Sequence, residues 1–132
     1  MTFVFADFPR PRRPRGAPVE VPIDEHDPLA REWALVCDSG GRAACLAAWE
    51  PPGQEGVADG DRLFETIWTV DRDTTRTAAR ICCELASAAA PDVAAAVSER
   101  LAPPPARTGD DGARAEALAN RMIAYLSRTA ER

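Results

Sequence analysis

The sequence predicts a mixed α/β fold of the α+β kind: a mainly antiparallel sheet of about four strands (2–8, 31–38, 43–50 and 62–70) packed with helices over 73–90, 92–101 and 113–129. Three observations carry this. Between Arg31 and Val70, apolar runs of strand length alternate with turn-forming residues, and all three tryptophans fall within those runs. After Thr74 the apolar spacing becomes helical, with Ala78, Ile81, Cys82, Leu85, Ala86 and Ala89 on an i, i+3, i+4, i+7 stripe. Proline then marks the breaks, at Pro91 and again at Pro103-Pro104-Pro105.

In chain order, Thr2–Phe8 reads as a buried strand on Phe3, Val4, Phe5 and Phe8. Pro9–Pro18 holds four arginines and no acid, and its prolines keep it extended. It reads as a charged surface loop, the ordinary fate of such runs, ahead of a docking strip for an anionic partner. Val19–Ile23 alternates briefly, but Pro22 confines it to an edge or a connector. Asp24–Pro28 is an acidic turn holding His26, the sole histidine; with no nucleophile near it in sequence, it reads as an exposed loop residue.

Glu32–Asp38 and Ala43–Glu50 form a hairpin across Ser39-Gly40-Gly41-Arg42, where Gly-Gly allows the positive φ of a tight turn. Leu63–Val70 follows the loop Pro51–Asp61 and completes a three-stranded meander. Trp33, Leu35 and Cys37 share one face of the first strand; Ala34 and Val36 share the other. Ala43–Trp49 is apolar on both faces, which suits a central strand, and its alanines leave room for close helix packing or a hollow. Asp71 to Thr74 can cap a helix reaching about Ala90. Pro91 ends it, and Asp92 can cap a second helix with Val93, Val97 and Leu101 on one stripe. Residues 102–112 form a linker. The last helix carries Leu118, Met122, Ile123, Tyr125 and Leu126. Residues 1–101 thus make one unit and 113–132 a C-terminal helix.

Composition excludes several classes. A net charge of −5 argues against nucleic-acid binding, which needs a cationic surface. No apolar run approaches the roughly 20 residues of a membrane span, and MTFVFADF lacks the basic and long apolar regions of a signal peptide. The expected location is the cytoplasm. Of the four cysteines, Cys37 and Cys45 fall on opposite faces of the hairpin, and Cys82 and Cys83 diverge by about 100° on a helix. All four read as reduced thiols. With no CxxC and one histidine, no metal site is expected.

Nucleotide fingerprints (GxGxxG, GxxxxGK[ST]) and hydrolase motifs (GxSxG, HExxH) are absent from the sequence. No cofactor and no catalytic residue are assigned. Cys82 or Cys83 as a nucleophile would need a base that neither has nearby in sequence. The residues singled out are Trp33, Trp49, Phe64 and Trp68, as lining of a ligand pocket or an interface; the plainer alternative is that they are core and rim.

Several segments together resemble the DICT sensory domain of diguanylate cyclases, two-component proteins and actinobacterial regulators. They are VFADF at 4–8, VEVPI at 19–23, DPLAREWALVCD at 27–38, AACLAAWE at 43–50 and LFETIWTVDRD at 63–73. The match covers residues 2–101, most specifically Glu32-Trp33, Ala48–Glu50 and the F-x-T-x-W-T of Phe64–Thr69. The resemblance implies a non-catalytic sensory or regulatory domain in bacterial signal transduction or transcription control, binding a small molecule or a partner domain; the alternative is a dimerisation module with no small ligand. In the family a further stretch precedes the VFADF strand. The expectation is therefore the C-terminal portion of such a domain, with one sheet face short of its cover and a homodimer formed through that face or the C-terminal helix.

Overall fold

In the computed structural model, which describes residues 2–24, 26–39, 42–105 and 109–129, the chain forms five strands in two sheets and three α-helices. β1 (Phe3–Ala6) and β2 (Val19–Pro22) pair in parallel, with Phe3 opposite Val19 and Phe5 opposite Val21. Parallel strands need a crossover, because no tight hairpin can join them. The arginine- and proline-rich segment supplies it. After Arg12 it turns through Gly16, at φ 77°, and returns as β2. The Glu20 N–H donates to the Arg12 carbonyl at 2.9 Å, and the Arg12 guanidinium holds the Glu20 carboxylate. Arg13 pairs with Asp92. Two of the four arginines are thus matched by the chain's own acids.

The strand expected over 2–8 therefore does not join the meander: the sheet is one antiparallel three-stranded sheet plus a separate parallel pair. The reason lies in what β1 and β2 cover. Val19 and Val21, flanked by Phe3 and Phe5, pack on Ala86, Ala89, Ala90 and Val93, at the junction of the first two helices. Pro22 ends β2, an edge position where a missing N–H is tolerated.

β3 (Glu32–Ser39), β4 (Arg42–Trp49) and β5 (Glu65–Thr69) form the antiparallel meander, with β4 in the centre. Cys37 lies opposite Ala44 and Val36 opposite Cys45, the register a two-residue loop dictates; Gly40 and Gly41 themselves lie outside the described residues. β5 is shorter than the run 62–70. Leu63 satisfies its backbone on a side chain: its N–H donates to Gln54 Oε1 (2.7 Å) and its carbonyl accepts from Gln54 Nε2 (2.8 Å). Beside it, Glu50 is almost buried, its side chain 6% exposed, within reach of Arg31 (3.5 Å) and Arg62 (3.8 Å).

α1 (Arg72–Ala86) begins where Asp71 accepts from the Thr74 N–H (2.8 Å) and hydroxyl (2.6 Å), as the capping reading predicted. It ends at Ala86, short of Ala90, where the Ser87 hydroxyl donates to the Glu84 carbonyl. Pro91 is the first residue of α2 (Pro91–Leu101), a position that needs no N–H. Asp92 consequently sits in the first turn and is not the cap. α3 spans Asp111–Thr129, which shortens the linker to 102–110; residues 106–108 lie outside the described residues. The core is built from small groups: among the described residues the largest fully buried side chain is Thr75, whose hydroxyl donates to the Asp71 carbonyl at 2.8 Å.

Candidate functional site

Residues directly opposite in an antiparallel pair point to the same face, so the register sorts the meander into two surfaces. Ala34, Val36 and Asp38 of β3, Ala43, Cys45 and Ala47 of β4, and Ile67 and Thr69 of β5 lie on one. Its Asp38 and Cys45 end meets α1, while Ala34 and Ile67 farther along stay exposed. Arg76 of α1 binds Asp38 through Nε, and its Nη1 donates to the carbonyls of Leu101 (2.9 Å) and Pro103; Arg80 also donates to Leu101 (2.9 Å). One guanidinium thereby ties together β3, α1 and the end of α2.

The opposite surface carries Trp33, Leu35, Cys37 and Ser39 of β3, Arg42, Ala44, Leu46 and Ala48 of β4, and Thr66 and Trp68 of β5. Trp33 is 73% exposed and Leu35 70% exposed, and Cys37 is exposed beside them. No carboxylate lies among those ten residues, and their one cation, Arg42, stands at the hairpin end. Away from that end, this surface can exclude water from a partner.

The four residues singled out in the sequence do not converge. Trp33 and Trp68 share the open face, separated by the central strand. Trp49 lies on the other face, where its indole Nε1 donates to Glu65 Oε2 at 2.9 Å. Phe64 is exposed just ahead of β5. The pairing brings Leu35 and Leu46 between Trp33 and Trp68, companions that a search for aromatic residues passes over. The alternation of Trp33, Leu35 and Cys37 was the available signal. Which face α1 takes is decided by Asp38 and Arg76, 38 residues apart.

Elsewhere an open groove of about 510 Å³ runs along Arg10–Pro14. His26 is exposed, and its N–H donates to Asp24 Oδ1 at 2.9 Å. Among the described residues, no cluster of three or more His, Cys, Asp or Glu is arranged to hold a metal ion. The four cysteines are free. Burial pushes the thiols of Cys45, Cys82 and Cys83 up from their ordinary pKa; the neighbouring Cys83 and Cys45 add to the effect at Cys82, and a hydrogen bond with Ser98 opposes it at Cys83. Such thiols are poor nucleophiles at neutral pH. No helix among the described residues is long and apolar enough to cross a membrane.

No protein-family model matches the chain, and no curated protein or solved structure was found similar to it. The likeness to the DICT domain therefore stands on the sequence segments quoted above.

Proposed function

We propose that this chain is a non-catalytic regulatory domain that works by docking a protein on the open face of its three-stranded sheet. The observation that carries the reading is the exposure of Trp33 and Leu35 (73% and 70%) on a strand whose other face meets α1 at its Asp38 end. Large apolar side chains gathered on the uncharged part of one sheet face mark an interaction surface more often than a solvated one. Burying such side chains contributes on the order of 1.5–3 kcal/mol each, enough for a few to drive association. The resemblance to a sensory domain supports a role in bacterial signal transduction or transcription control. In that setting the partner's state is coupled to the sheet only if the partner binds one arrangement better than another.

A small ligand held by the aromatic residues is the second reading. It is less well supported, because Trp49 lies across the sheet from Trp33 and Trp68. The test is binding of a fluorescent hydrophobic dye to the full chain, alongside its mass by light scattering. An accessible apolar face gives either dye binding that falls in Leu35→Glu or self-association that hides the face. A monomer that binds no dye would refute the proposal.

A further inference from the structure

We infer that the strap Pro9–Arg15, which crosses between β1 and β2, is a docking element of its own: a proline–arginine ridge that seats aromatic side chains of a partner protein. It is separate from the sheet face and does not depend on it. The first argument is the backbone. Proline fixes φ at Pro11 and Pro14 and keeps Arg13, the residue before Pro14, out of the helical region. Arg12 is held extended by its bridge to Glu20, with N···O distances of 2.9 and 3.3 Å. A stretch restrained in this way has little conformational freedom left to lose on docking.

The second argument is which edge faces out. An extended proline-rich chain repeats about every three residues. Arg10 and Arg13, Pro11 and Pro14, and Arg12 and Arg15 therefore mark three edges. Arg12 reaches back to Glu20 on β2, and Arg13 reaches Asp92 in the first turn of α2. Two edges are thus tied to the body of the protein, and the prolines stand on the third. Every residue from 9 to 18 is exposed.

The third argument is what the guanidinium groups have left to offer. The open groove of about 510 Å³ is lined by Arg10, Arg12 and Arg13 together with Pro11 and Pro14. Three arginines around a groove ordinarily point to an anion. Here the in-plane donors of Arg12 already hold both oxygens of Glu20, and Asp92 occupies Arg13. Their charge is met, yet their side chains remain 57% and 42% exposed. The flat face of a guanidinium stays available for stacking on an aromatic ring when its edge is bonded. Proline rings add a rigid apolar surface, the feature that aromatic-lined grooves recognise in PxxP segments, and Pro11-Arg12-Arg13-Pro14 has that spacing. Arg10 and Arg15 form no ion pair among the described residues and flank the ridge. The surface that fits carries aromatic rings with acids beside them. A long polyanion fits less well, because beyond the strap it meets a chain of net charge −5.

The test titrates the full chain against a fluorescein-labelled peptide of alternating tryptophan and glutamate, followed by anisotropy. The same peptide with alanine for tryptophan and a thymine oligonucleotide are the controls. The expected result is saturable binding of the tryptophan peptide, with the alanine peptide weaker by about tenfold, the worth of two exposed stacking contacts. Pro11→Ala combined with Pro14→Ala should weaken the tryptophan peptide by a similar factor. Arg10→Ala combined with Arg15→Ala should weaken it less and flatten its salt dependence. Leu35→Glu, on the sheet face, should leave it unchanged. The four strap residues are exposed, and circular dichroism verifies the fold of each variant. Equal binding of the two peptides, or tighter binding of the oligonucleotide, would show a plain anion site and overturn the inference. Binding lost in Leu35→Glu but kept in the proline variant would move the contact to the sheet face and overturn it too. A tryptophan peptide that does not bind would overturn it whatever the hydrophobic dye reports of the sheet.

Discussion

Replacing Arg76 with alanine removes a side chain that joins β3, α1 and the end of α2. Its side chain is 11% exposed and that of its partner Asp38 is 12% exposed, so both charges are largely out of water. The Leu101 carbonyl keeps Arg80 as a donor, and the loss therefore concentrates on Asp38, left facing α1 without its cation. Breaking a buried pair from one side costs about 3–5 kcal/mol. The residual exposure of Asp38 places this case at the lower end, ~3 kcal/mol. With an unfolding entropy of about 2.1 cal/mol/K per residue, that corresponds to a fall in Tm of roughly 10 °C over 132 residues. Thermal unfolding followed by circular dichroism measures it. Asp38→Ala should also destabilise, and the double variant should lose less than the two single losses added, because no charge is then stranded. Arg76→Lys, which keeps the charge without the planar fork, should fall between wild type and alanine. A single-variant loss below about 0.5 kcal/mol, or strict additivity in the double, would refute the assignment of Arg76 as the pin.

Three further outcomes follow from the same geometry. The hydroxyl and amide of Thr74 hold the Asp71 carboxyl below the ordinary carboxylate range; because the folded value is the lower one, its stabilising effect is complete above the unfolded value of about 3.9 and disappears as pH falls through the folded one. Exchange of the Thr74 amide should accelerate in that acid window, and Asp71→Asn, which accepts a hydrogen bond without titrating, should abolish the acid step. Ala86 is fully buried between β2 and the helix junction, so Ala86→Leu should destabilise by about 1–3 kcal/mol through overpacking; a urea melt unchanged from wild type would show that the junction has slack. In dilute solution at neutral pH, Cys37 should be alkylated first and Cys45, Cys82 and Cys83 slowly, the latter gaining rate as pH rises, since burial holds those thiols protonated. Mass mapping that finds Cys82 or Cys83 labelled first would contradict it.

What could be read from the sequence was local. Gly40-Gly41 between alternating runs sets the pairing of Cys37 with Ala44, and Asp71 ahead of a helical stripe announces its own cap. What could not be read depends on residues far apart. β1 reads as a strand from Phe3 and Phe5, but its parallel partner is chosen by burial against Ala86 and Ala90, which alternation does not encode. Pro91 stops one helix and starts another, and composition alone does not say which role sets the boundary. At the candidate site, the alternation of Trp33, Leu35 and Cys37 was visible from the start. The solvent-facing side was not, because it follows from the ion pair between Asp38 and Arg76.

A core whose largest wholly enclosed side chain is a threonine has a thermal consequence. The heat capacity gained on melting comes chiefly from hydrocarbon newly wetted, about 0.45 cal/K/mol per Å². A chain that hides so little of it has a small increment, and its free-energy curve against temperature is broad and low. Calorimetry would show a wide, gentle endotherm, with stability changing little between a cold room and a warm cell.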